Sequence, residues 1–176
     1  IDAPMYPDDV LNDVAGSKVQ IILITHIHQD HLHGLEQIVG VTQAPVIVNA
    51  ADTDNLPITP NLFIEDGDII EVGKVQVRAI HTPGHTPGST CFSAGNFLFS
   101  GDTLFPGGPG RSKSPEALAE IINSITTKLF SYPDQVEVLP GHGVTTTLGI
   151  SKKDHSVFAS KEHPADLSGD VTWLES

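Results

Sequence analysis

Runs of apolar residues separated by short polar turns predict a series of β-strands along the chain. The almost unbroken, β-branched run at 19–25 is typical of a strand buried on both faces. The Gly95-Asn96 pair indicates a hairpin turn between two later strands. Further strands are predicted at 45–49, 62–64, 68–72, 75–80, 90–94, 97–100 and 136–139.

Helical patterns alternate with these strands. Short helices are predicted at 35–39 and at the segment whose acidic first turn is Asp8-Asp9, and a last helix at 151–160 precedes an extended tail. The clearest helix start is Ser114-Pro115-Glu116, because serine caps a helix N-terminus and proline fits its first turn. This helix is predicted to end near Phe130, with an inner apolar stripe formed by Leu118, Ile121, Ile122, Ile125 and Leu129.

The loops and the order of the predicted elements indicate the domain organisation. The Gly- and Pro-rich stretch 106–112 predicts a loop. Strands that alternate with helices, with no internal repeat or linker between them, predict a single α/β layered domain over residues 1–176.

Composition and charge restrict the class of protein. The 176 residues, 39% of them hydrophobic and 18% charged, suffice for one domain with a buried core. A net charge of −13 repels phosphate backbones, so no nucleic-acid partner is expected. No apolar run approaches the ~20 residues of a membrane span. The lone Cys91 excludes an intrachain disulfide and is expected to be a buried, inert thiol. We therefore expect a cytoplasmic protein without a membrane partner.

Three histidines and an aspartate follow the first long strand within six residues: His26, His28, Asp30 and His31. A loop leaving a strand can point alternate side chains to one side, so His26 and His28 are predicted to face one point. Asp30 and His31 are predicted to face a neighbouring point. Such groups lack partners when buried and repel one another when protonated, and a metal ion removes both problems. Imidazole and carboxylate together suit zinc or iron.

Three later segments have the same form, because each ends a predicted strand and enters a glycine-containing turn. They carry His85, Asp102 and His142. Sites in α/β domains are usually built at strand ends, so these residues are further candidate ligands. Glycine on both sides of His142 favours close approach of the backbone to a site.

The His26-x-His28-x-Asp30-His31 motif, followed by these three loops in order, resembles the metallo-β-lactamase superfamily. Within it, the chain is most similar to the glyoxalase II-like (hydroxyacylglutathione hydrolase-like) branch, from Asp2 to His142. The resemblance implies an αββα four-layer sandwich of two mixed β-sheets flanked by helices. The family has two or three strands before the segment that matches Ile1-Asp2. N-terminal strands are therefore expected to be missing, and the first sheet to be incomplete or completed from elsewhere.

The resemblance also implies two divalent metal ions, with zinc as the first expectation and iron or manganese as alternatives. By position, the first ion would bind His26, His28 and His85. The second would bind Asp30, His31 and His142, and Asp102 would bridge the two.

The resemblance also implies roles for residues that surround the metal ligands. Asp2, Thr25 and the Thr82-Pro83-Gly84 turn would orient them. His33 and His81 are expected to be exposed or supporting residues, and Gln29 to face the substrate.

The implied function is hydrolysis of a thioester or ester in a small-molecule substrate. Two metals about 3.5 Å apart can share a water and lower its pKa, and the resulting hydroxide attacks the carbonyl. Asp30 would orient the hydroxide and carry a proton to the leaving group. Arg111, Lys152 and Lys153 are the candidates for holding an anionic group of the substrate.

Four other functions stay open. A persulfide dioxygenase of the same superfamily uses one iron, at positions matching His26, His85 and Asp102. A lactonase would need an open, apolar pocket. RNA processing is suggested by the Gly34-Leu35 ending of the motif, but the acidic net charge argues against it. A non-enzymatic scaffold is disfavoured because every ligand position is filled. The sequence leaves the oligomeric state open.

Overall fold

A computed structural model describes residues 1–54 and 56–176. Its helices are α1 (Pro7–Asp13), α2 (Gln29–Leu32), α3 (Leu35–Thr42), α4 (Pro115–Thr127) and α5 (Leu148–Ala159), with a 3₁₀ turn at Leu129–Ser131. Its strands are β1 (Ile22–Leu23), β2 (Val46–Asn49), β3 (Leu62–Ile64), β4 (Ile69–Val72), β5 (Val75–His81), β6 (Thr90–Ala94), β7 (Phe97–Gly101), β8 (Leu104–Phe105), β9 (Gly108–Pro109), β10 (Glu137–Pro140) and β11 (Thr146–Thr147).

Most of the strands belong to two sheets. Strands β1, β2 and β3 pair in that order, and both pairs are parallel. The second sheet has the order β11-β10-β7-β6-β5-β4. Its pairs are antiparallel except for the parallel β10–β7 pair. Strands β8 and β9 form a separate small hairpin.

Three apolar clusters separate four layers. Ile22 and Ile24 of the first sheet pack against Leu35 of α3. Leu23, between them in sequence, belongs instead to the cluster between the two sheets. Side chains alternate along a strand, so a strand covered on both faces must be apolar at every position. The third cluster packs the second sheet against α4 and α5. The predicted αββα sandwich is confirmed.

Helix α4 forms where its start signal lies. Ser114 Oγ accepts a hydrogen bond from the Ala117 amide at 3.3 Å, and Pro115 occupies the first turn. The α-helix ends at Thr127, and the 3₁₀ turn continues through the predicted end at Phe130. Four of the five residues of the predicted inner stripe are buried, and the fifth, Ile122, is partly buried and packs against the third apolar cluster, between the second sheet and helices α4 and α5.

The boundaries of three other elements differ from their predictions. The run at 19–25 forms a ladder only at Ile22–Leu23, because only these residues pair with β2. The predicted loop at 106–112 contains β9, which pairs with β8. Helix α5 begins at Leu148, three residues before its predicted start, because Thr147 Oγ1 accepts from the Ile150 amide and caps it there.

The tail after α5 is packed rather than free. Val171 and Trp173 are buried in the third apolar cluster, and the Trp173 amide donates to the Gly107 carbonyl at 2.7 Å. Among the described residues, no helix is both long and apolar enough to cross a bilayer.

Candidate metal centre

The histidine motif, residues 26–31, follows β1 and changes from extended to helical backbone at Gln29. The backbone at His28 is extended, with φ −70° and ψ 145°, so His26 and His28 project to the same side. Helix α2 then begins at Gln29, and its turn directs Asp30 and His31 to a second point. Both pairs thus face the two neighbouring points predicted for them, but only His26 and His28 do so from the loop. A helical turn positions the other two residues.

The structure brings all seven predicted ligands into two groups. Within each group, one potential ligand atom from every residue lies within 4.8 Å of the others. The first group is His26, His28, His85 and Asp102, and the second is Asp30, His31 and His142. The six histidine and aspartate residues other than Asp102 divide as the resemblance implies, and Asp102, the expected bridging residue, falls in the first group.

Hydrogen bonds at the outer ring nitrogens define two tautomers in the first group. Thr25 Oγ1 donates its hydrogen to Asp2 at 2.8 Å, so it must accept from His26 Nδ1, 3.0 Å away. His85 Nδ1 donates to the Arg111 carbonyl at 2.8 Å. In the neutral form of each ring, the hydrogen is therefore on Nδ1, and the lone pair of Nε2 faces the interior of the group.

The Nε2 lone pairs of His26 and His85 both face one atom, His28 Nδ1. His28 Nδ1 lies 3.1 Å from His26 Nε2 and 2.9 Å from His85 Nε2. A single hydrogen on His28 Nδ1 can satisfy only one of them. Burial lowers the pKa of His26 to about 2, so protonation of its ring does not resolve the conflict. Burial, followed by the proximity of His85, also lowers the pKa of His28. Neutral imidazoles with convergent lone pairs fit a divalent metal.

Asp102 lies between the two groups. Its Oδ2 is 3.6 Å from His85 Nε2, and its Oδ1 is 3.3 Å from His31 Nε2. Oδ1 is buried without a hydrogen bond to any described residue, which is costly for a carboxylate oxygen unless a cation binds it. A Cβ at Gly141 would collide with this oxygen, so the loop before His142 closes over Asp102 only because glycine stands there. The position fits the predicted bridging role.

His31 is held between two carboxylates. Its Nδ1 donates to Asp2 Oδ2 at 2.8 Å, and its Nε2 faces Asp102. Burial lowers the pKa of His31, but Asp102 and Asp2 outweigh burial and raise it to about 10. Burial would likewise raise the pKa of Asp102, yet His31 and the other imidazoles hold it below its usual range. The Nε2 side of His31 thus favours positive charge, which a metal ion would supply in place of the proton.

The second group is more open than the first. His142 Nε2 lies 2.8 Å from Asp30 Oδ2 and 3.1 Å from His31 Nε2. Asp30 and His142 are both exposed, whereas His31 is buried. The exposed side is where a substrate can approach.

Asp2 connects both ends of the first motif. Its carboxylate accepts from the Thr25 amide at 2.7 Å, from Thr25 Oγ1 at 2.8 Å and from His31 Nδ1. The orienting role predicted for Asp2 and Thr25 agrees with these contacts.

Sequence reasoning missed Asp52. This residue is 0% exposed, and its carboxylate accepts from Thr86 Oγ1 and, at 2.7 Å, from the Gly88 amide. It therefore fixes the loop that carries His85. The available signal was its place three residues beyond β2, at the same sheet edge as the histidine motif.

The remaining singled-out residues lie outside the two groups. His33 and Gln29 are exposed, and His81 donates from Nε2 to the Pro87 carbonyl at 2.8 Å. Cys91 is buried in β6, and burial raises the pKa of its thiol to about 11, as expected of an inert residue.

Two cavities open on either side of the groups. One, of about 600 Å³, adjoins Asp30 and His142 and has apolar walls that include Met5, Phe99 and Leu139. The other, of about 540 Å³, adjoins His28 and His85 and is lined also by Arg111, Ser112, Lys113, Ser168 and Gly169. The two cavities differ in charge, because the first has carboxylates at its rim and the second has two cations.

The sequence profile of the metallo-beta-lactamase superfamily matches residues 4–142, which include all seven candidate ligands. The chain belongs to the metallo-β-lactamase superfamily. The resemblance seen in the motifs is thereby confirmed, and the fold is that of this hydrolase-like superfamily, which binds divalent metals.

Relatives of known sequence include two proteins named hydroxyacylglutathione hydrolase. The one from Maricaulis maris is 36% identical, in an alignment that covers 98% of this chain and 70% of the relative. The one from Francisella philomiragia is 28% identical. That alignment covers 87% of this chain but only 63% of the relative, so the chain spans less than two thirds of that protein.

Solved structures with the same fold include ETHE1 from Myxococcus xanthus. It aligns with a TM-score of 0.80 and 28% identity over 92% of this chain and 73% of that protein. The protein TTHA1623, solved in a di-iron-bound form, aligns with a TM-score of 0.73 and 30% identity. That alignment covers 84% of this chain and 82% of TTHA1623.

Proposed function

We propose that the chain is a hydrolase of thioesters or esters that uses two divalent metal ions, zinc being our first expectation. The observation that carries the proposal is the convergence of seven histidine and aspartate donors in two groups with Asp102 between them. The relatives named hydroxyacylglutathione hydrolase support a thioester, because an acylglutathione contains that bond.

The two groups of residues would hold one ion each and share Asp102. Bound ions would polarise a substrate carbonyl and lower the pKa of an attacking water. The Arg111 carbonyl and Thr25 Oγ1 accept hydrogen bonds from Nδ1 of His85 and His26, which favours the tautomers whose Nε2 lone pairs face the site. Asp30 Oδ2 lies at the cavity rim, where it can accept a proton from the water and deliver it to the leaving group.

The two cavities suggest how a substrate lies. Its acyl part fits the apolar cavity beside Asp30, and an anionic part fits the cavity that contains Lys113 and Arg111. Lys152, a candidate from the sequence, is engaged elsewhere, because its Nζ donates to Asp134 at 2.6 Å. Lys113, which the sequence pattern did not predict as a candidate, lines the second cavity.

Metal content and hydrolysis, measured on the same sample, test the proposal. Protein purified without added metal is expected to contain about two ions per chain by elemental analysis and to hydrolyse an acylglutathione thioester. Removal of the ions with a chelator is expected to abolish turnover, and added Zn²⁺ to restore it, because the polarising charge is lost and regained. A chain that binds no metal under any condition contradicts the proposal.

A mononuclear iron persulfide dioxygenase is the second candidate. The four-residue first group supports it, since it contains His26, His85 and Asp102 and can hold one ion without the second group. One iron per chain, with oxygen consumption on a persulfide and no thioester hydrolysis, would favour this candidate over the hydrolase.

A change at Lys113 tests the orientation of the substrate. Lys113→Gln is expected to raise KM for a thioester bearing a free carboxylate by roughly 2- to 5-fold, the effect of an exposed ion pair. KM for the corresponding methyl ester is expected to change less. Lys153→Gln is the control, because Lys153 is an exposed lysine of α5 that lines neither cavity. Equal effects of Lys113→Gln on both substrates would contradict the proposed orientation.

A further inference from the structure

His85 depends on a segment far from it in sequence. Its Nδ1 donates to the carbonyl of Arg111, and this bond sets both the tautomer and the direction of the ring. Arg111 itself lies two residues after β9, in the Gly- and Pro-rich stretch 106–112, and its side chain is exposed. The Arg111 carbonyl must therefore be held in place by its neighbours in the fold.

The next residue, Ser112, is fixed by the C-terminal tail. The amides of Ser112 and Gly169 donate to each other's carbonyls at 3.1 and 3.0 Å, in an isolated antiparallel bridge. The Gly169 amide also lies 3.1 Å from Ser112 Oγ. Ser112 is 3% exposed, so this bridge holds a buried position of the loop.

The tail that supplies Gly169 is itself anchored in the core. We define the strap as residues 167–173. Its Val171 and Trp173 are buried beneath α5, and Trp173 stacks edge-on against Phe158 at 5.1 Å between ring centroids. The Trp173 amide bonds to Gly107 at the start of the same loop. The strap is thus hydrogen-bonded to loop 106–112 near both of its ends, at Gly107 and at Ser112.

We infer that the strap is a positioning element of the metal centre, which orients His85 for its ligand role by fixing Ser112 and hence the Arg111 carbonyl. The strap contributes no ligand itself. This inference rests on the proposed function for the metal, but the orientation of the His85 ring can be measured without any metal.

Gly169 offers a variant that breaks the bridge selectively. Gly169→Pro removes the amide that donates to Ser112 and cannot adopt the φ of +87° found there. Gly169→Asn keeps the amide and tolerates positive φ, and a Cβ at this position meets no atom within 4 Å. Gly16→Pro is the matched control, because Gly16 also has positive φ, +80°, and lies in the turn after α1.

Two measurements test the inference. Competition of Zn²⁺ with a chelator is expected to show one site weakened 10- to 100-fold in Gly169→Pro, with the second site and both sites of Gly169→Asn and Gly16→Pro close to the parent protein. NMR of ¹⁵N-labelled histidine in metal-free protein is expected to show His85 as the Nδ1–H tautomer in the parent and a mixture of tautomers in Gly169→Pro.

The outcomes separate the inference from the proposed function. Zn²⁺ affinities and a His85 tautomer in Gly169→Pro that match the parent would overturn the role of the strap and leave the hydrolase proposal intact. If the parent binds no Zn²⁺, the proposed function fails, and the tautomer measurement still decides whether the strap orients His85. Equal loss of both sites in Gly169→Pro and Gly16→Pro would show general destabilisation and also overturn the inference.

Discussion

Asp102→Asn is expected to lower the metal content from about two ions per chain to one or less. It should also reduce thioester hydrolysis at least about 10²- to 10³-fold, the loss typical of removing one group that stabilises developing charge. Asp102 faces both His31 and His85, and its buried Oδ1 has no hydrogen bond to a described residue. An amide retains the shape of the carboxylate but supplies neither its charge nor a second anionic oxygen. Elemental analysis and a steady-state assay measure the two effects.

Asp66→Asn is the matched control for Asp102→Asn. Asp66 is also paired, with its Oδ2 3.0 Å from Lys128 Nζ, but it lies outside both candidate ligand groups. Metal content and turnover are expected to stay at the parent values in this variant. A fully metal-loaded Asp102→Asn protein would contradict the bridging role.

Asp52→Ala is expected to lower the free energy of unfolding by about 3 kcal/mol or more. Its loss leaves the Gly88 amide without its buried acceptor and leaves the Thr86 hydroxyl with only Ser89 Oγ, 2.7 Å away, at a cost of about 1–3 kcal/mol for each donor. Both donors lie in the loop that carries His85, so Zn²⁺ affinity is expected to fall as well, by roughly 10-fold or more. Urea denaturation monitored by circular dichroism measures the stability, and chelator competition measures the affinity.

Asp54→Ala provides the comparison for Asp52→Ala, because Asp54 is an exposed aspartate two residues further along. Its substitution is expected to change the free energy of unfolding by no more than about 0.5 kcal/mol. If the two alanine variants unfold at the same urea concentration, the buried carboxylate does not stabilise the His85 loop as we expect.

Local patterns predicted most of the elements, because the signals for them lie within a few residues. The start of α4 follows from a serine cap and a proline, both of which act within one helical turn. The β6–β7 hairpin follows from two short apolar runs around Gly95-Asn96. The limits of β1 and the presence of β9 could not be predicted in this way, because each depends on which strand lies alongside.

For the candidate site too, local sequence signals predicted some features and missed others. The histidine motif and the three later loops predicted all seven members of the two groups, since ligand residues are recognisable by type and spacing. The short helix α2 within the motif was missed, because a single helical turn has almost no sequence signature of its own. The family profile over residues 4–142 agrees with the resemblance that those residues carry.

The sequence by itself determined the superfamily, the layered α/β fold and the identities of the candidate ligands. The sequence also predicted the support from Asp2 and Thr25, but only the tertiary structure revealed Asp52 beneath the His85 loop and the strap against Ser112. The Ser112–Gly169 pair joins positions 57 residues apart through backbone amides and carbonyls, and the Gly88 amide reaches the Asp52 side chain across 36 residues. Backbone amides and carbonyls are nearly the same at every residue, so the sequence does not show which of them pair, and the packing of the elements decides it.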